Sequence, residues 1–320
     1  MIKKFFLFII NGLFNLTILA IVSAVFYLNL PVESKGTIEI PKGSVGKIIR
    51  YLTNKGYNLS IIDRYILLAI GTPKSGWINM PKAKMNRVEF LTYLTNARYS
   101  IDKIKLIPGE TLYIFFNNIA KELNLDAQKL WHNYKNLSPY QEGGIYPDTY
   151  HIPKGIKEKK LIEFLVRESN KKYQKIYSKY TKGNDFNTTT FNTILTIASI
   201  IQKEAGDNQE MPIVASVIYN RISKNMPLQM DGTLNYGKYS HIKITPKRIK
   251  EDNTTFNTYR HKGIPNYPVA STSIEAIKSA INPSVTKYLY FMKNSKGGHD
   301  FATSYRKHKR NIKKSRVGGL

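Results

Sequence analysis

Between Phe5 and Leu30 the sequence has no charged residue, and this run, FFLFIINGLFNLTILAIVSAVFYLNL, constrains the chain more than any other feature. A helix of that length spans the hydrocarbon core of a bilayer with some tilt. Lys3 and Lys4 precede it, so the positive-inside rule puts residues 1–4 in the cytoplasm and everything after residue 30 outside. A cleaved signal peptide is the competing reading. Val22-Ser23-Ala24 offers small residues for cleavage, but the apolar run continues past them, which favours a retained anchor over residues 5–30. The expected location is the inner (cell) membrane, single-pass, with an extracytoplasmic body.

That body carries a strong positive bias. Lys and Arg number 49 against 22 Asp and Glu, a formal charge of +27. Such a balance suits a polyanionic partner: nucleic acid, an anionic membrane surface or a carboxylate-rich polymer. The charge is spread along the whole chain, however, and compositional drift toward Lys, Asn and Ile accounts for it as well. The chain has no cysteine, which excludes disulfides, thiolate zinc sites and cysteine nucleophiles. The six histidines form no i, i+4 pair and no HExxH, so no metal site is expected. No GxxxxGK[ST], GxGxxG or GxSxG occurs, which leaves nucleotide binding and serine hydrolase chemistry without support. Basic charge without a motif does not make a nucleic-acid protein.

Residues 31–36 read as a polar linker. Thr37–Ile40 alternates like a strand, and Ser44 is placed to cap a helix through Val45, Ile48, Ile49 and Leu52, stopped by Gly56. Ser60 with Asp63, and Asn86 with Glu89, have capping-box spacing. Ile104–Ile107 reads as a strand, and Pro108-Gly109 leads into a helix. A long Lys-rich amphipathic helix is expected over Lys157–Tyr180, a polar linker over 183–190, and a solvated basic tail over Arg306–Arg316.

The stretch from Asn192 to Gly237 carries the chemistry. Ile194, Leu195, Ile197, Ala198, Ile200 and Ile201 define an apolar helix. Glu204 falls on its buried face, three, four and seven residues after Ile201, Ile200 and Ile197, and Gly206 ends the helix. Burial and the carbonyl end of the helix dipole both disfavour the charged carboxylate. They push its pKa toward about 6–7, where a carboxyl can donate a proton near neutrality. The bland alternative is an ion pair with Lys203 or Arg221. Asp207 and Glu210 form a box-like start to the next helix, with Pro212 in its first turn. Polar residues that could complete a site follow at Asn220, Arg221, Gln229, Asp231, Thr233, Tyr236, Asn257, Tyr259 and His299. Amides, hydroxyls and aromatic faces are the kit expected around a sugar, although such residues in loops are commonly turn-formers.

At these residues the sequence resembles the endolytic murein transglycosylase family (MltG-type, YceG-like). The likeness runs through Ala198-Ser199-Ile200-Ile201-Gln202-Lys203-Glu204, Val214–Val217 with Asn220-Arg221, and Leu228-Gln229 with Asp231, Thr233, Tyr236 and Gly237. It continues at Asn257-Thr258-Tyr259, Gly263-Ile264-Pro265, Tyr288–Phe291 and Gly297-Gly298-His299 with Phe301, and includes Glu142-Gly143 and Pro147–Tyr150. The resemblance implies an α+β chain: a transmembrane helix, a small LysM-like domain over 37–102, and a mixed helix and antiparallel-sheet catalytic domain over 103–320. Helices around Glu204 are expected to pack on a sheet that uses Tyr288–Met292.

The resemblance also implies an activity, a peptidoglycan lytic transglycosylase needing no cofactor. Glu204 would protonate the glycosidic oxygen between N-acetylmuramic acid and N-acetylglucosamine, then take a proton from the muramoyl C6 hydroxyl as a 1,6-anhydro ring closes. Because the nucleophile belongs to the same sugar, one carboxylate suffices where ordinary glycosidases need two. Partners implied are glycan strands, the inner membrane and peptidoglycan synthases, with no nucleic acid. The other polar residues would bind sugar or support Glu204. Two departures stand out. The family pattern reads Asp-Pro-Thr where this chain has Asp231-Gly232-Thr233, and its Gly-Leu-Pro-Pro-Gly stretch is here Gly263-Ile264-Pro265-Asn266-Tyr267-Pro268. Neither is expected to touch the acid. Rival readings are a hydrolase using Glu204 and Asp231, a non-catalytic wall-binding scaffold, and a membrane-bound nucleic-acid binder.

Overall fold

The computed structural model describes residues 2–34, 36–96, 101–181 and 185–317. Positions 183 and 184 of the expected second linker lie outside the described residues. The chain divides into two compact units, Met1–Asp102 with His151–Lys154, and Lys103–Tyr150 with Gly155–Leu320.

The first unit opens with α1 (Ile2–Asn29), whose stretch Phe6–Asn29 is long and apolar enough to cross a membrane; its side chains are exposed up to Phe26, and only its last turn, at Tyr27, meets the rest of the unit. Pro31–Glu33 is not free linker. It forms β1, paired antiparallel with β4 (Lys84–Asn86) so that Val32 faces Met85, and Val32 is fully buried. The apolar side chain draws the segment into the core. Next come β2 (Thr37–Ile40), α2 (Val45–Asn54), α3 (Ile61–Ile70) and β3 (Gly76–Asn79). β2 and β3 pair antiparallel with Ile38 opposite Ile78, both in the core.

Ser44 occupies the N-cap of α2 but makes no side-chain cap bond. Ser60 and Asp63 do form a capping box on α3. So do Asn86 and Glu89, each backbone N–H donating to the other side chain, ahead of α4 (Arg87–Asn96). Asp63 has a second task that its spacing did not announce. It is fully buried and pairs with Arg87, itself 2% exposed.

The division between the units cuts the chain within two strands, β5 (Ile101–Lys105) and β6 (Thr149–Pro153). The second unit is mainly helical: α5 (Leu112–Leu123), α6 (Ala127–Leu137), α7 (Glu158–Tyr180), α8 (Thr188–Glu204), α9 (Met211–Ser223), α10 (Pro246–Glu251) and α11 (Ile274–Ile281). Its core is built on α8, packed against α9 and α11 through Leu195, Ala198, Ile201, Val214 and Ile277.

The expected sheet reduces here to a hairpin of β7 (Tyr290–Lys293) and β8 (His299–Ala302), with Phe291 opposite Phe301. The first strand begins two residues later than expected. Side chains of α9 claim the preceding backbone: Asn220 Nδ2 donates to the carbonyls of Thr286 and Tyr288, and Arg221 Nε to that of Leu289. The basic tail is helical, α12 (Tyr305–Val317).

Candidate active site

Glu204 is the last residue of α8. The turn after it leads into α9, and the loop 228–234 folds back over its carboxyl. The backbone N–H of Gly232 donates to Glu204 Oε1 at 2.6 Å. Burial pushes the Glu204 carboxyl up to about 7; the Gly232 bond opposes this and the negative charge of Asp231 adds to it. Neither expected cation neutralises it. Lys203 Nζ donates to Ser240 Oγ at 2.9 Å, and Arg221 spends its guanidinium on backbone carbonyls. A carboxyl raised this far without an ion pair is a proton donor near neutral pH.

The departure at residue 232 therefore does touch the acid, contrary to expectation. Proline there would have no N–H to offer. The site is also closed to a side chain, because a Cβ on Gly232 would lie 2.6 Å from Lys203 Cβ and 2.8 Å from Glu204 Oε1.

Glu204 opens on a pocket of about 290 Å3 whose lining includes Arg221, Gln229, Asp231, Tyr259 and His299. These five expected residues are brought together with it. Asp231 Oδ1 accepts from the Tyr259 hydroxyl at 2.8 Å, and burial with that bond raises the phenol further above its ordinary value. Gln229 sits in the left-handed region at φ 51°, its N–H on the Thr258 carbonyl and its Oε1 3.4 Å from Arg221 Nη1.

Four expected residues stand elsewhere. Thr233 is fully buried, its hydroxyl donating to the Met230 carbonyl and lying 3.0 Å from that of Thr258. Asn257 is equally buried, with Nδ2 on the carbonyls of Ile249 and Asp252. Asn220 fastens the approach to β7. None of these three lines the pocket; they hold its frame. Tyr236 stacks on Phe256 at 4.3 Å and faces a second cleft, of about 780 Å3, lined also by Tyr113, Trp131, Tyr140 and Glu142.

Two carboxyls matter more than their spacing suggested. Glu210 does not close a box on Asp207. Asp207 alone caps that turn, accepting from the N–H groups of Gln209 and Glu210. The Glu210 carboxylate instead accepts from Gly206 N at 3.0 Å, His299 N at 2.6 Å and His299 Nδ1 at 2.6 Å. Burial raises its pKa, but the bonds from His299 and Gly206 outweigh it and the net direction is down. Glu210 thus clamps the β7–β8 hairpin, which supplies one wall of the pocket, to the turn after Glu204. Glu142 is buried under the start of α5, accepting from Leu112 N and Gly143 N, and burial pushes it up to about 8. The Asp207-x-x-Glu210 spacing masked the first. Its matching Glu142-Gly143 pair was the only signal for the second.

An N-terminal helix that fits a single-pass anchor is followed by an α+β body with a carboxyl raised toward neutrality in a polar pocket, a class of fold and site with acid/base potential. The chain belongs to the YceG-like family, whose profile matches residues 38–314. It is 30% identical over 195 residues to the endolytic murein transglycosylase of Bacillus subtilis, covering 61% of this chain and 53% of that one. It is 32% identical over 177 residues to that of Streptococcus pneumoniae, covering 53% and 31%. The chain thus spans about half or less of the length of these relatives. The crystal structure of a YceG-like protein from Listeria monocytogenes matches with a TM-score of 0.54 and 26% identity, over 87% of this chain and 99% of that one.

Proposed function

We propose that this chain is an endolytic peptidoglycan lytic transglycosylase, with Glu204 as its single acid/base. One observation carries the reading: a carboxyl lifted to about 7 by burial, without a neutralising cation, at the wall of a polar pocket. Protonated Glu204 gives its proton to the oxygen between muramoyl C1 and the next glucosamine, and the C1–O bond breaks. The carboxylate then takes the C6 hydroxyl proton as C6–O bonds to C1. Atoms balance without water, and the product ends in 1,6-anhydro-muramic acid. The Gly232 N–H supports the carboxylate at mid-cycle, when it is charged.

Arg221, Gln229, Asp231, Tyr259 and His299 are the residues proposed to meet or frame the sugar. The strand-helix-helix-strand order of β2, α2, α3 and β3 supports the LysM-like reading of 37–102. We place the N-terminus in the cytoplasm and the body outside the inner membrane, where cleavage of nascent strands beside the synthases would end their elongation. Asp231, hydrogen-bonded by Tyr259 beside Glu204, is the observation that favours a second reading, a two-carboxylate hydrolase. Mass spectrometry of peptidoglycan digested by the full chain decides between them. Anhydro-muramoyl ends, absent with Glu204→Gln, support the proposal. Reducing ends would assign a hydrolase, and intact peptidoglycan bound without cleavage a scaffold.

A further inference from the structure

The helix α3 is apolar nearly all round, IIDRYILLAI, yet only Asp63 and Leu67 face the core. Ile61, Ile62, Tyr65 and Leu68 are 67%, 50%, 62% and 54% exposed, and their spacing puts them on one face of the helix. A helix of a water-soluble domain normally turns a polar face outward. An outward face of large apolar side chains marks an interaction surface.

The position of α3 says which surface. Ser60, its N-cap, lies 2.6 Å from the hydroxyl of Tyr27, in the last turn of α1. The Arg87 guanidinium sits 4.3 Å from the Tyr27 ring centroid, donates to its hydroxyl at 2.8 Å and to the Asn58 carbonyl at 2.9 Å, and pairs with Asp63 of α3. The end of the anchor and the start of α3 are therefore bolted together. The 24-residue span Phe6–Asn29 is roughly 36 Å long at about 1.5 Å per residue, against a hydrocarbon core of about 30 Å. Its last turn thus reaches the headgroup level, where tyrosine is enriched. Arg64, 5.9 Å from the Tyr65 ring, has the length to reach headgroups beside the apolar face.

We propose that α3 lies in the membrane interface, with Ile61, Ile62, Tyr65 and Leu68 inserted at the headgroup–acyl boundary beside the exit of α1. The occupant of this face is lipid, and the face continues the surface that α1 presents to the bilayer. Two contacts with the membrane, one spanning and one lying along it, then fix the tilt of the first unit. The inference stands apart from the catalytic reading and rests on the anchor alone.

The natural absence of cysteine makes the test clean. Single cysteines at Tyr65 and Leu68, at Val22 within α1 and at Lys296 at the hairpin tip, carry nitroxide labels in the full chain reconstituted in lipid nanodiscs. All four side chains are exposed or half-exposed, so folding is not at stake. Collision with oxygen relative to a water-soluble nickel chelate should be several-fold higher at Tyr65 and Leu68 than at Lys296, and highest at Val22. Water-like values at Tyr65 and Leu68 with a lipid-like Val22 would overturn the proposal and leave the anchor standing. Dipolar broadening between Leu68 labels would overturn it in favour of a second copy of the chain. A water-like Val22 would remove the anchor and the proposal together.

Discussion

The backbone N–H of Gly232 meets Oε1 of Glu204 at 2.6 Å, so a loop 28 residues downstream supplies a hydrogen bond to the acid. A methyl group has no room there, lying 2.8 Å from the carboxyl oxygen and 2.6 Å from Lys203 Cβ. Gly232→Ala should displace the carboxyl by tenths of an ångström and lower the cleavage rate at least ~10-fold, with a stability loss of about 1–3 kcal/mol. Release of anhydro-muropeptides and a thermal melt check the two parts. Gly232→Pro removes the donor, and the basic limb of its rate profile should move above that of the wild type.

The rate itself should report the acid. In the proposed reaction Glu204 must carry its proton at the start, and burial pushes its pKa up to about 7. Activity should be high on the acid side and fall tenfold per pH unit above that value. Glu204→Gln should reduce turnover by about 10²–10⁴-fold on the acid side and flatten the basic limb, so that its deficit shrinks as pH rises above about 7. Both are read from initial rates on a defined glycan.

Stability should run the other way for the variant. The Glu204 carboxyl is raised from 4.5 to about 7, so the native state holds its proton longer than the unfolded chain. Its contribution is full below about 4.5 and is lost as pH rises through about 7. Glu204→Gln should therefore match the wild type at pH 4. At pH 8 it should gain on the order of 1–3 kcal/mol, visible in denaturant titrations at the two pH values.

Glu210 is lowered rather than raised, so its clamp on His299 is in force above the ordinary carboxylate range and is lost as pH falls through its lowered pKa. Glu210→Ala should cost about 1.5–3 kcal/mol, the worth of hydrogen bonds to a charged group. Hydrogen exchange should accelerate first over residues 290–302, the hairpin.

Removing one partner of the buried Arg87–Asp63 pair strands the other charge. Arg87→Met should cost about 3–5 kcal/mol in the first unit. The melt of the full chain should show that loss with the second unit still folded.

The helices were legible where a local pattern sets them. The apolar face of α8 and the position of Glu204 at its end follow from spacing alone, as do the boxes at Ser60–Asp63 and Asn86–Glu89. What escaped was set by contacts distant in sequence. Glu210 is the proper distance from Asp207 to cap it, yet its carboxylate finds better donors 89 residues away in His299. Thr233 and Asn257 carry sugar-binding chemistry, but each is spent on backbone carbonyls that the loops would otherwise bury unpaired. The late start of β7 has the same origin, since no propensity scale registers the claim of Asn220 on its backbone.

The proton affinity of Glu204 is set first by burial, then by the Gly232 N–H and the charge of Asp231, with no lysine or arginine among the described residues in the balance. In a chain of formal charge +27 this insulates the acid. Added salt, which screens exposed lysines, should therefore leave the titration of Glu204 almost where the fold put it.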